Sequence, residues 1–445
     1  GPLTMVLPKT AAVPTCVSAG LSTVGVRMPA HPLALAAISQ AGVPLAAPSA
    51  NASGRPSPTT AADVLQDMDG KIDAVLDGGP CSVGVESTVV DLTGQHPRIL
   101  RPGAVTLEMI EDALGQTEVD DAVTRPIAAG ERPRAPGMKY RHYAPKAPVT
   151  VFDGAPVRTA AQIAAQLQPG DGVLCFDDCK DFFAQWDHVL CYGPSWDVAE
   201  QGRRLFSALR AFDDLPCGRI LAQGCRPWGE GAAVRNRLHK AAGFHVVPVG
   251  GIVLGVTGRS GSGKSLLTRQ ACELGLCVID ADAVYAELLE TDADMRARLA
   301  ERFPQEAGPN GIDRRALAHR VFHDKQARLD LNAITHPVVL RAIDARIAQY
   351  QAAGAPAVVL DVPLLFESGL DRACTATCAI LAPEAQAIDR IVQRDGISPE
   401  RARERLLAQP DDDYYRARCD ALLVNDGSRD DFLKKVLFFI QKYGR

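Results

Sequence analysis

The sequence predicts an α/β protein of more than one domain, whose last block is a parallel sheet covered by helices on both faces. Three observations carry this. After residue 250, short apolar runs alternate with amphipathic stretches, the pattern of strand–helix repeats. A glycine-rich stretch stands between the first such run and the first such helix, where a phosphate-binding turn belongs. Prolines and glycines punctuate the 445 residues across 116–148 and again at Pro248-Val249-Gly250-Gly251. They mark off blocks at 1–115, about 149–245 and 250–445, within the two to four domains expected at roughly 100–200 residues each.

Composition bounds the function. Apolar residues are 47% and charged residues 23%, as in ordinary globular chains. The net charge is −5 and neither half is basic, which argues against an extended nucleic-acid interface held by charge alone. No apolar run reaches the roughly 18 residues a bilayer span needs, and the start lacks the order of a signal peptide. The twelve cysteines are scattered without a CxxC. Cys175/Cys179 and Cys374/Cys378 lack the partner set of a zinc site, so free thiols in a cytoplasmic protein without membrane attachment are expected. The chain opens Gly1-Pro2-Leu3-Thr4, without Met, straight into a strand-like run at 3–7. That is a processed or engineered start, or an upstream segment is absent.

In the third block, strands are expected at 252–257, 276–279, 358–360, 378–381 and 422–424, as short apolar runs, with amphipathic helices at 337–350 and 429–443. Between the first strand and a helix at 266–274, closed by Gly275, stands Gly258-Arg259-Ser260-Gly261-Ser262-Gly263-Lys264-Ser265. This is the G-x-x-x-x-G-K-S pattern. Glycines let backbone N–H groups turn inward around phosphate oxygens, and the helix N-terminus adds partial positive charge. Lys264 then reaches the β/γ phosphates of ATP and Ser265 binds Mg²⁺. After the second strand comes Asp280-Ala281-Asp282, at the sheet's carboxyl end, where ligands gather. A carboxylate there accepts the proton of an attacking hydroxyl, orients Mg²⁺, or, as Asp282, caps the helix at 283–289. The residues alone leave these open.

The run Val278-Ile279-Asp280-Ala281-Asp282-Ala283 follows the phosphate loop at a spacing that resembles dephospho-coenzyme A kinases. Ile334-Thr335-His336-Pro337, Leu360-Asp361-Val362-Pro363-Leu364-Leu365-Phe366-Glu367, Arg394-Asp395-Gly396 and Asn425-Asp426-Gly427-Ser428 match in order. The resemblance spans the whole third block. It implies a P-loop kinase fold with a helical lid at 394–409, and transfer of the ATP γ-phosphoryl group to the 3′-hydroxyl of dephospho-coenzyme A. It makes Lys264, Asp282 and Arg394 the catalytic set, with Asp282 as general base. Gly258, Gly261, Ser262, Gly263, Lys264, Ser265 and Asn425 become the ATP site. Lid guanidiniums at Arg394, Arg401, Arg403 and Arg405 would neutralise charge in flight. Two departures stand out. Arg259-Ser260 replaces a glycine and an aliphatic residue, so that Arg259 adds a phosphate contact or points to solvent. Gln409-Pro410 replaces Gln-Met, and Pro410 would end the lid helix sharply.

The first block presents strand ends loaded with hydroxyls, an amide and two arginines. Thr23 to Pro29 reads as a strand with Arg27 near its end. Val43 to Asn51 reads as a short strand entering a small-residue loop, and Ser53 to Thr59, Gly84 to Val90 and Leu100 to Gly103 follow. Such a set holds a nucleotide and a carboxylate, or forms ordinary turns. The order of the pieces resembles the YrdC-like domain of threonylcarbamoyl-adenylate synthases. These enzymes make threonylcarbamoyl-AMP from threonine, bicarbonate and ATP, for a downstream tRNA threonylcarbamoyl transferase. The run at 135–145 resembles the linker of the family's two-domain form, which folds back over the site. The second block, with Gly224 and Asn236-Arg237, resembles its small C-terminal domain. The resemblance implies a twisted α/β sheet, truncated here, plus a small Rossmann-like domain. It puts Thr23, Ser49, Ser57, Arg101 and Tyr143 on ATP, and Arg27, Ala47 and Ser87 on threonine, with Arg27 clamping its carboxylate.

The family's N-terminal Lys and Arg residues, which grip the triphosphate, have no counterpart before Gly1. The expectation is a longer natural protein with both activities and a chain here that retains the kinase. The alternative is a P-loop kinase for another small hydroxyl acceptor, with a tRNA-binding or scaffold front half.

Overall fold

A computed structural model describes residues 1–125, 143–308 and 311–444. It divides into two units, Gly1–Val249 and Gly250–Arg445, at the Pro248–Gly251 break.

The first unit contains two sheets. The front one comprises β1 (Leu3–Pro8), β2 (Thr23–Val26), β3 (Thr88–Asp91), β4 (Arg98–Arg101) and β5 (Glu118–Val119), in the order β2-β1-β3-β4-β5. It is mixed: β1 runs antiparallel to β2 and parallel to β3, and β4 antiparallel to β3. Helices α1 (Pro32–Ala41), α2 (Ala61–Met68) and α3 (Leu107–Leu114) accompany it. Thr60 and Asp63 close a reciprocal capping box at the start of α2, which satisfies donors that the first turn cannot. The strand expected within 43–51 is absent. That stretch is a loop, exposed as far as residue 50, because Pro44 and Pro48 withdraw the N–H groups a strand would need. The expected linker 116–148 is partly ordered structure. It contributes β5 and a 3₁₀ turn at Asp121–Val123, while most of the run at 135–145 lies outside the described residues.

The second sheet is wholly parallel, in the order β10-β6-β9-β7-β8. It is built from β6 (Val149–Gly154), β7 (Asp171–Cys175), β8 (Val189–Cys191), β9 (Arg219–Gln223) and β10 (Val246–Val249). Helices α4 (Pro156–Ala164), α5 (Val198–Ala211) and α6 (Gly231–Ala241) connect the strands. Val151, Val173, Leu174, Ile220 and Ala222 are buried against Leu205, Leu209 and Leu238. These near-continuous apolar strands are what a sheet covered on both faces requires.

The second unit runs β11 (Ile252–Thr257), α7 (Lys264–Glu273), β12 (Cys277–Asp280), α8 (Ala281–Thr291), α9 (Ala293–Arg302), the short pair β13 (Ala307–Gly308) and β14 (Gly311–Ile312), α10 (Arg314–His323) and α11 (Lys325–Ala352). It continues through β15 (Ala357–Asp361), β16 (Ala376–Leu381), α12 (Glu384–Asp395), α13 (Pro399–Leu407), α14 (Asp412–Arg416), β17 (Ala421–Val424) and α15 (Arg429–Tyr443). The five long strands are parallel in the order β12-β15-β11-β16-β17. The chain leaves central β11 towards one edge and later crosses to the other, which makes the carboxyl end of β11 a switch point where ligands bind. Helix α11 begins twelve residues before the expected 337 and runs through Pro337. The proline removes one helix bond, but Ala327 and Val338 pack with Met295, Leu299 and Phe303 on either side of it, and that burial holds both halves in line.

Candidate active sites

In the second unit, the loop after β11 turns on glycines. Gly258, Gly261 and Gly263 have φ of 134°, 73° and 107°, which side chains rarely tolerate. A Cβ at Gly258 would meet the Ile380 carbonyl, one at Gly261 the Ala387 carbonyl, and one at Gly263 the Asn425 amide. The turn is held from outside. Asn425 Nδ2 donates to Ser262 O at 2.8 Å, and Arg390 of α12 donates to Gly261 O at 3.1 Å. Ser262 Oγ is buried without a hydrogen-bond partner. Lys264 opens α7 and donates from Nζ to Gly258 O at 2.7 Å, so its ammonium folds back over the loop. Ser265, the next residue, is exposed.

Carboxylates converge on that ammonium from neighbouring strands. Asp280 and Asp361 are register partners at the ends of β12 and β15, and Asp282 is the second residue of α8. Burial lowers the Lys264 pKa, against the charges of Asp361 and Asp282, with Arg394 reinforcing it. Burial raises Asp282, helped by Asp280 and opposed by Lys264 and Arg314. Burial pushes Asp361 up to about 6, against Lys264, and its Oδ1 is buried without a hydrogen-bond partner. The helix cap is Asp280, whose Oδ1 accepts from the amides of Asp282 and Ala283 at 2.9 and 3.1 Å. The capping role open to Asp282 therefore belongs to its neighbour, which leaves the Asp282 carboxylate out of the cap. Arg394 is exposed near the end of α12 and pairs with Asp395, as does Arg405. Arg259 contacts neither solvent alone nor the inside of the loop: Nη2 donates to Leu406 O at 2.8 Å. Asp361, Arg314 and Arg390 were not singled out by sequence reasoning. Asp361 had a signal, a carboxylate closing an apolar run; the two arginines had none.

In the first unit, a polar cluster gathers where β3 begins. Ser87 accepts from Arg27 Nη1 at 3.3 Å and shares a 2.8 Å bond with Thr4. Its carbonyl takes both Nε and Nη2 of buried Arg101, at 3.1 and 2.9 Å. Ser57 donates to Glu86 Oε1 at 2.6 Å. Arg237 of α6, fully buried, donates to Glu86 Oε2 at 2.7 Å and lies 5.8 Å over the Tyr143 ring, whose hydroxyl also bonds Glu86. Burial alone would raise Glu86, but the charges of Arg237 and Arg101 hold it down at about 2. Burial, with Arg237 and Arg101 nearby, lowers Lys240 to about 8. Arg27, Ser57, Ser87, Arg101 and Tyr143 thus come together. Thr23 opens β2, and Ala47 and Ser49 are exposed in the loop after α1, apart from this network. Glu86 and Arg237 organise the cluster without having been expected in the site. A carboxylate on the approach to an apolar strand was the available signal.

Residues 252–431 match the family described as dephospho-CoA kinase. Residues 1–103 match that described as telomere recombination, and 105–243 that described as the C-terminal domain of threonylcarbamoyl-AMP synthase. The threonylcarbamoyl-AMP synthase of Bacillus subtilis (strain 168) is 44% identical over 250 residues, 56% of this chain and 71% of that protein. The dephospho-CoA kinase of Syntrophotalea carbinolica is 38% identical over 179 residues, 40% of this chain and 85% of its own. Among solved structures, Pyrococcus abyssi Sua5 complexed with L-threonine is similar over 56% of this chain and 72% of its own, at 42% identity and a TM-score of 0.50.

Proposed function

The chain belongs to two families at once, the threonylcarbamoyl-AMP synthases over its front half and the dephospho-CoA kinases over residues 252–431, and we propose that each half works through the cluster described for it. In the kinase, the amides turned by Gly261 and Gly263 cradle the ATP phosphates at the start of α7, with Lys264 on the β/γ oxygens. Asp282 takes the proton of the acceptor's 3′-hydroxyl. A carboxyl lifted by burial and by Asp280 is a better proton acceptor than a free one. Arg394, within the electrostatic reach of Lys264, approaches the transferring group from the lid. Asn425 fixes the loop from behind.

Mg²⁺ fits the donors present. Ser265 offers a hydroxyl and Asp361 a buried carboxylate oxygen without a hydrogen-bond partner, both hard oxygen ligands. Among the described residues no three His, Cys, Asp or Glu side chains form a ready metal cluster. Mg²⁺ is ordinarily held by one or two protein groups together with phosphate oxygens. When bound, it neutralises charge on the transferring phosphoryl group.

The observation that carries the kinase reading is the convergence of Lys264 with Asp282 and Asp361 at the carboxyl ends of adjacent strands. A coupled ADP-release assay with dephospho-coenzyme A against a panel of nucleosides tests it. Turnover with dephospho-coenzyme A alone supports the reading; equal or greater turnover with a simple nucleoside would overturn it.

In the synthase, Arg27 and the Ser87 hydroxyl hold the threonine carboxylate, and the Ser57–Glu86–Tyr143 side of the cluster faces ATP. Threonine, bicarbonate and ATP are the substrates, and a tRNA threonylcarbamoyl transferase consumes the product. Arg101, with two nitrogens on the Ser87 carbonyl, acts by fixing Ser87. A cytoplasmic setting suits these substrates, and among the described residues no helix is long and apolar enough to cross a membrane.

A further inference from the structure

The phosphate loop contains a side chain that phosphate binding does not need. Arg259 is 17% exposed, and its guanidinium reaches away from the nest to the far end of the lid. Nη2 donates to Leu406 O at 2.8 Å, in the last turn of α13, and Nη1 lies 3.7 Å from Asp412 Oδ1 at the first residue of α14. A cation at that carbonyl completes a helix C-terminus, where partial negative charge accumulates. The adjacent Ser260 amide donates to Gln409 Oε1 at 2.8 Å. The two places where the sequence departs from its family's pattern, Arg259-Ser260 and Gln409-Pro410, therefore meet in space. On α12, which leads into the lid, Arg390 holds the Gly261 and Ser262 carbonyls at 3.1 and 3.5 Å. All these bonds use loop carbonyls, an added guanidinium or the Ser260 amide. They leave the amides of Gly261, Gly263, Lys264 and Ser265 for phosphate, while the Ser262 amide closes a turn onto Arg259 O at 3.2 Å.

We propose that Arg259 is a positioning residue that, with Gln409, latches the lid onto the phosphate loop before ATP arrives. The inference rests on the kinase reading of this site. An unlatched lid is docked only part of the time, and apparent affinity falls by that fraction. The latch therefore acts on ATP affinity more than on the acceptor. Arg259→Gly removes both guanidinium contacts. Arg259→Lys keeps a cation that cannot serve Leu406 O and Asp412 together. Gln409→Ala frees only the Ser260 amide.

The test is hydrogen exchange at the amides of residues 406–409 in the full chain, with and without a non-hydrolysable ATP analogue, alongside steady-state kinetics. The expected result is protection in the parent chain without nucleotide. In Arg259→Gly that protection drops about tenfold, the loss of a charge-assisted hydrogen bond, and the analogue restores it. Arg259→Lys and Gln409→Ala fall between. KM for ATP rises severalfold in Arg259→Gly while KM for dephospho-coenzyme A stays near the parent value. Unchanged protection in Arg259→Gly would overturn the latch, as would a loss that the analogue does not repair, which marks a folding role. If the parent chain does not phosphorylate dephospho-coenzyme A, the kinase reading fails while the exchange arms still decide the latch.

Discussion

Arg237 Nε donates to Glu86 Oε2 at 2.7 Å, joining residues 151 positions apart. One lies on helix α6 beside the second sheet; the other lies on the approach to β3 in the first. The second block of the synthase half thus supplies the counter-charge for a carboxylate in the first block's cluster, and Asn236 Nδ2 reaches back to Val123 O at 2.7 Å. This explains why Gly1–Val249 forms one unit despite its two sheets.

Removing one partner strands a buried charge. Arg237→Ala is expected to destabilise the first unit by about 3–5 kcal/mol, the cost of breaking a buried ion pair from one side. Adding Glu86→Gln should recover more than half of that. All three tryptophans, Trp186, Trp196 and Trp228, lie in this unit, so tryptophan fluorescence during urea unfolding reads it alone. The pH dependence has a definite sign. Glu86 is depressed from 4.5 to about 2, so its stabilisation is present above pH 4.5 and drains away as pH falls towards 2. Arg237→Ala should flatten that acid-side slope, leaving the part that Arg101 and Ser57 supply. An additive double mutant would show that the pair is not coupled.

The cap assignment separates two neighbouring carboxylates. Asp280→Ala loses the bonds to the first-turn amides of α8 and is expected to cost about 1 kcal/mol of stability. Asp282→Asn leaves the cap intact. It should fold like the parent and reduce phosphoryl transfer by about 10²–10⁴, the contribution of a positioned base. ADP release and thermal unfolding measured on both variants distinguish the roles. Parent-like turnover by Asp282→Asn would remove it as the base.

The fold of the kinase half was readable because its signals are local. Apolar runs gave the five strands to within about two residues, and strand–loop–helix spacing located Gly258 to Ser265. The long helix was cut short at Pro337 because packing against Met295, Leu299 and Phe303, invisible in one sequence, outweighs a proline. Asp280 and Asp282 both fit a cap by type; only backbone geometry decides which accepts the amides. Of the residues that meet in the synthase cluster, the resemblance named Arg27, Ser57, Ser87, Arg101 and Tyr143. The cluster's organiser was not legible, because Glu86 and Arg237 are far apart in sequence and meet only when two sheets close on each other.

Asp361 predicts a pH effect of opposite sign to that of Glu86. Burial raises its pKa from 3.8 to about 6, so its charged form is the costly one. Between about pH 4 and 6 the folded protein holds a proton that the unfolded chain has released, and stability falls as pH rises through that window. Asp361→Asn should abolish this slope and raise stability at pH 7 by about 1–2 kcal/mol, allowing for solvent screening. It should also depress kinase activity and weaken its Mg²⁺ dependence. Calorimetry reads the relevant transition, the one that tryptophan fluorescence does not follow. Equal slopes in parent and variant would place the titration elsewhere.

Gly263 and Asn425 test the loop from the other side. Gly263 sits at φ 107°, and a Cβ there would press on the Asn425 amide that donates to Ser262 O at 2.8 Å. Gly263→Ala bears backbone strain of about 1–2 kcal/mol and in addition pushes Asn425 off its acceptor. Asn425→Ala alone loses a hydrogen bond worth about 1 kcal/mol. In the double variant the clash and the lost bond are the same event, so its cost should fall short of the summed single costs by about 0.5 kcal/mol or more. ATP affinity should be low in both variants that carry Gly263→Ala, because the strained turn also sets the amides that face phosphate. Calorimetric unfolding and equilibrium ATP titration of all four proteins measure both quantities. Strict additivity would mean that Asn425 supports the loop by a route that does not pass through Gly263.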